Sequence, residues 1–181
     1  MFGKIYEIEC EQGTVTLERT RGGEIVFHNY DRDAAVAVQA LGLPKTYCDK
    51  IYETVYGGDP NKLLTFAANR GDMKEVQLAL WIGANPSHWN SWAMRRAAAG
   101  GHVQIAKLLI DHGADIAARK YDALYRAVEN GHVDTVVMLL REGADPKHRF
   151  IELAENMDHD IIARILSDAF FERYAAKGWD Q

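Results

Sequence analysis

The sequence predicts an α+β chain. A small three-stranded antiparallel sheet with helices comes first, and an all-α stack of helical repeats follows. Two observations divide it this way. The N-terminal part, residues 1–57, opens with segments that alternate apolar and polar residues. The remainder, residues 58–181, matches itself at a fixed step of 30 residues.

Lys4–Cys10 and Thr14–Thr20 alternate as strands, with Gly13 at the turn between them. Gly22-Gly23 marks a second turn, and Glu24–His28 reads as a third strand. Asp31–Leu41 reads as a helix, with Asp31 as N-cap and Ala34, Val36, Val38 and Leu41 as its apolar set. Pro44 opens a further helix through Tyr56, closed by Gly57-Gly58. A sheet of this size needs a cover, which the helix over Asp31–Leu41 is expected to supply.

Three ladders define the repeats. Gly-Ala-Asn-Pro starts at Gly83, Gly-Ala-Asp-Ile at Gly113 and Gly-Ala-Asp-Pro at Gly143. Gly71, Gly101 and Gly131 keep the same step, and so do the small pairs Ala67-Ala68, Ala97-Ala98 and Ala127-Val128. The small pair lets two helices approach closely. The glycine after the first helix suits a left-handed C-terminal position. The second helix then carries apolar residues at helical spacing: Val103, Ile105, Ala106, Leu108 and Leu109, then Val133, Val136, Val137, Leu139 and Leu140. Asp115 and Asp145 follow as turn formers.

One helix pair cannot bury its apolar face alone, whereas stacked pairs share a core. Ala97-Ala98, Gly101-His102-Val103, Leu108-Leu109 and Gly113-Ala114-Asp115, with the same set one step later, resemble the ankyrin repeat. The resemblance runs over about residues 58–170. The usual ankyrin period is about 33 residues, so tight turns are expected here in place of a β-hairpin finger. The Thr-Pro-Leu-His opening is replaced by Trp92-Ala93-Met94-Arg95 and Asp122-Ala123-Leu124-Tyr125. Short repeats of this kind resemble those of large-virus, phage and bacterial ankyrin proteins. A worn fourth repeat follows, in which Leu153-Ala154-Glu155-Asn156 echoes Ala127-Val128-Glu129-Asn130 and Asp158-His159 breaks the Gly-His-Val pattern. Ala169–Tyr174 extends its last helix as a cap, and a homodimer contact through these aromatics is the alternative reading.

Composition narrows the function. The net charge is −5; residues 1–60 carry ten Asp/Glu against six Lys/Arg, and residues 61–181 carry sixteen against fifteen. Neither part is a basic nucleic-acid footprint. No apolar run is long enough for a membrane span, and the first residues lack the apolar stretch of a signal peptide, so a cytoplasmic location (or a host cytoplasm) is expected. Cys10 and Cys48 lie far apart and outside any Cys-x-x-Cys, which fits reduced structural thiols. No phosphate-cradling glycine loop or nucleophile elbow occurs. His102 and His132 share one repeat position, where the resemblance implies a structural role. No catalytic residue, metal site or cofactor is expected.

The resemblance implies binding through the inter-repeat loops and the concave helix face. The loops carry His88, Trp89, Asn90 and Trp92, then Arg119, Lys120 and Tyr121, then Lys147, His148, Arg149 and Phe150. The inner helices carry Arg95, Arg96, Tyr125 and Arg126, with Arg96 and Arg126 one step apart as a ladder. Trp, Tyr and Arg are the residues that most often anchor interfaces. Pairing of the arginines with Asp122 or Glu129, and packing of the tryptophans under a neighbouring loop, are the competing readings. The expected function is a non-enzymatic adaptor or inhibitor that binds a protein with an acidic surface, of the kind with which a phage or bacterial protein blocks a host defence complex. Nucleic-acid association or mimicry, and a small enzyme in the N-terminal segment, stand as rivals.

Overall fold

The computed structural model describes residues 59–175 in full, together with the backbone of Lys4–Cys10, Gly13–Arg19 and Ile25–Phe27. The helices expected over Asp31–Leu41 and Pro44–Tyr56 lie outside the described residues. The chain divides into two units, residues 1–64 with 74–85, and residues 65–73 with 86–181.

The expected α+β class is corrected. The continuous described region, 59–175, is all-helical, with eight helices and no strand. The three extended segments outside it pair antiparallel in chain order, and no helix is described beside them. Alternation reports only that a segment is extended; the class of a fold is set by the layers that pack on one another to make its core. In the described region those layers are helices alone.

The helices are α1 Pro60–Arg70, α2 Met73–Trp81, α3 His88–Ala99, α4 Val103–Asp111, α5 Ala118–Glu129, α6 Val133–Arg141, α7 His148–Asn156 and α8 Asp160–Ala175. In the first unit Leu63, Leu64, Val76, Leu78 and Ala79 are buried, and the Asn85 N–H donates to Asn61 Oδ1 at 2.8 Å. In the second unit α5 packs between α3 and α7, and α6 packs against α4 and α8. The small pairs Ala97-Ala98 and Ala127-Val128 are fully buried, as is Ala154 of α7. Ile105, Ala106 and Leu109 of α4, and Val136 and Leu139 of α6, make the facing layer. Phe150, read from the sequence as a loop residue, is a core residue with no exposed surface. The connections at 112–117 and 142–147 are turns without strands.

Two devices hold one repeat to the next. The first is a histidine over a glycine. The Nε2–H of His102 donates to the Asn69 carbonyl at 3.3 Å, and that of His132 to the Ala99 carbonyl at 3.0 Å. A carbonyl only accepts, so Nε2 carries the proton in each ring. Gly71 and Gly101, with φ of +81° and +72°, lie directly beneath these rings. The worn terminal repeat keeps the same device. Asp158 takes φ +57° where the other repeats have glycine, and His159 Nε2 donates to the Glu129 carbonyl at 3.4 Å. Asp158→Gly is therefore expected to raise the unfolding free energy by about 0.5–1 kcal/mol, because glycine removes the left-handed penalty; urea denaturation at equilibrium measures it.

The second device is a left-handed turn ahead of α3 and α5. Trp89, Asn90 and Ser91 all have φ between +48° and +56°, and Arg119, Lys120 and Tyr121 have φ between +51° and +64°. Right-handed helix begins only after each triplet. Consecutive left-handed residues cost about 1–2 kcal/mol each in L-amino acids, so the surroundings must hold them. Ser91 is fully buried, and its Oγ accepts the Asp115 N–H at 2.7 Å. Arg95 donates to the Asn90 carbonyl, and Arg149 donates to the Lys120 carbonyl one step later.

Candidate protein-binding site

The residues expected to bind a partner fall into an inner set that is already engaged and an outer set that is open. Trp92 is the centre of the inner set. The guanidinium groups of Arg95, Arg96 and Arg126 lie 4.5, 5.5 and 6.0 Å from its ring centroid. Arg95 is 1% exposed and donates from Nε to Asp122 Oδ2 at 2.7 Å. Arg126 donates to the same oxygen at 2.8 Å. Arg96 donates to Asn69 Oδ1 at 2.8 Å. The three guanidinium groups thus gather around Trp92, and those of Arg95 and Arg126 share one carboxylate.

Partial burial pushes the Asp122 carboxyl up, but hydrogen bonds from Arg126 and Arg95, with the attraction of both charges, outweigh it and hold its pKa below 3.8. The carboxylate is therefore ionised throughout the neutral range, and the cluster of three arginines keeps a positive excess. Pairing of the arginines with Asp122, a competing reading of the sequence, is what the structure has. The spacing of Asp122 to Arg126, four residues on a helix, was the available signal.

The outer set lies around α5 and α7. Arg119, Lys120, Tyr125 and Arg149 line a groove of about 410 Å³ with Asp122 and Glu152. Arg119 and Lys120 are exposed, and among the described residues their side chains make no hydrogen bond, ion pair or ring contact. The Arg149 side chain is exposed while it donates to the Lys120 carbonyl. Glu152 accepts from His148 Nδ1 at 3.1 Å. Lys147 sits 5.6 Å from the Tyr121 ring centroid, over a half-buried ring. Trp89 is 63% exposed and stacks on His88, with centroids 4.9 Å apart, so it does not pack under a loop.

Among the described residues no group of His, Cys, Asp and Glu gathers that would hold a metal ion. No described helix is long and apolar enough to cross a membrane. Residues 64–149 match the family model of ankyrin repeats in three copies. These repeats belong to the ankyrin family, and the chain carries a protein–protein interaction module.

Proposed function

We propose that the chain is an adaptor or inhibitor that holds an acidic protein surface in the groove between α5 and α7. The observation that carries this reading is the pair Arg119 and Lys120. Both are cations in a left-handed turn, both are exposed, and neither side chain has a partner among the described residues. Arg149 adds a third cation on the same groove, and Tyr125 adds an exposed aromatic to its lining. Of the two carboxylates in the groove, Asp122 is already engaged by two arginines and Glu152 faces His148. An acidic segment entering here meets unspent positive charge and an aromatic of the type that anchors interfaces.

The test begins with affinity purification and mass spectrometry from a host lysate, followed by titration of the recovered partner. The Arg119→Glu/Lys120→Glu protein is expected to bind about tenfold more weakly, with a shallower salt dependence. Unchanged affinity in a folded double variant rejects the reading. DNA binding with a steep salt dependence points instead to a nucleic-acid partner.

A further inference from the structure

The inner aromatics of α8 are accounted for within the chain. Phe170 and Tyr174 pack with centroids 4.7 Å apart, and the Tyr174 hydroxyl donates to Asp145 Oδ1 at 2.7 Å. Arg173 donates to the Ala144 carbonyl at 3.0 Å, which fastens the end of the helix to the turn before α7. The outer face is different. Ile161 is 66% exposed, Phe171 55%, and Met157, just ahead of the helix, 43%. A terminal repeat ordinarily turns a polar face to solvent, so this one departs from the rule.

The exposed positions have an order. Ile161, Arg164, Asp168, Phe171 and Ala175 follow one another at steps of three, four, three and four residues. That is the spacing of a coiled-coil seam, and it falls within about 80° of helical arc. Arg164 and Asp168 are exposed, and among the described residues neither makes an ion pair or hydrogen bond.

We propose that this seam pairs with the same seam of a second copy, antiparallel about a two-fold axis that crosses the seam at the height of residue 166 along the helix. An antiparallel pairing centred there sets each residue opposite the one equally far on the other side of 166. Arg164 then meets Asp168 of the other copy, Ile161 meets Phe171, and Met157 lies toward Ala175. Every pairing occurs twice, as a two-fold interface requires. The apolar ends supply the attraction, and the two crossed ion pairs fix register and direction. A single helix pair buries less than the roughly 1,600 Å² of a standard interface, so the dimer is weak, with a dissociation constant on the order of 10–100 µM. The proposal is independent of the groove between α5 and α7.

Sedimentation velocity over a micromolar to near-millimolar range tests it with the full chain. The natural protein is expected to shift from monomer to dimer. Arg164→Asp and Asp168→Arg, each folded by circular dichroism, are expected to stay monomeric, because each sets like charges together twice. The double charge swap restores the dimer, and an equimolar mixture of the two single variants forms a heterodimer. Ile161→Asp abolishes association. A natural protein that stays monomeric throughout overturns the proposal. Failure of both the swap and the mixture to associate does the same, and so does dimerisation unaffected by Ile161→Asp.

Discussion

Replacing Asp122 by alanine is expected to lower the unfolding free energy by about 3 kcal/mol, at the low end for breaking a buried ion pair because the carboxylate retains some contact with water. Arg95 gives the effect its size. Its side chain is almost wholly enclosed, and its guanidinium has the Asp122 carboxylate at 2.7 Å, the Asn90 carbonyl at 3.4 Å and the face of Trp92. Without the carboxylate, a cation stays in a site that water reaches poorly. Arg126→Ala removes the more exposed partner of the same oxygen and is expected to cost less than about 1 kcal/mol. Acid provides a second reading of the same pair. The folded pKa of Asp122 is below its ordinary 3.8, so this contribution is fully present above 3.8 and fades as the pH falls through the lower folded value. The stability difference between the natural protein and Asp122→Asn therefore shrinks in acid. Urea denaturation at neutral and acidic pH measures both effects.

Gly101→Ala is expected to cost about 3 kcal/mol, against about 1 kcal/mol for Gly113→Ala, and the difference between them isolates the histidine device. Both glycines have positive φ, +72° and +93°. A Cβ on Gly101 meets His132 Nδ1 at 2.8 Å and Cγ at 3.0 Å, whereas one on Gly113 meets nothing within 4 Å. The His132 ring cannot swing away without giving up its bond to the Ala99 carbonyl. Backbone strain is thus common to the two variants, and only Gly101→Ala adds a clash. Equal losses in thermal or urea denaturation contradict this account of how the repeats are joined.

The repeat was legible because its signals are steric. A left-handed glycine and a small helix pair tolerate few substitutes, so they recur at a constant step. The third histidine, His159, was harder to see, since Asp158 can occupy the left-handed region that elsewhere takes glycine and the spacing shrinks by three residues. The left-handed triplets were not legible at all. Trp89-Asn90-Ser91 and Arg119-Lys120-Tyr121 contain one residue, Asn90, that favours the conformation by itself; Arg95 holds the first triplet from five residues on, and Ser91 and Arg149 make contacts distant in sequence. The sequence also placed Arg95 with the binding residues, because a buried and an exposed arginine look alike until the position of Asp122 is known. What pattern alone cannot give is which charges of a row are already neutralised.

The central claim is that recognition falls on the open cations and Tyr125 around α5 and α7, while Trp92 and its arginines hold the repeats together. Hydrogen–deuterium exchange of the chain with and without its purified partner tests this most directly. Added protection is predicted in segments 117–126 and 147–156, the two sides of the groove. Protection confined to 103–111 and 133–141, with the groove unchanged, would contradict it.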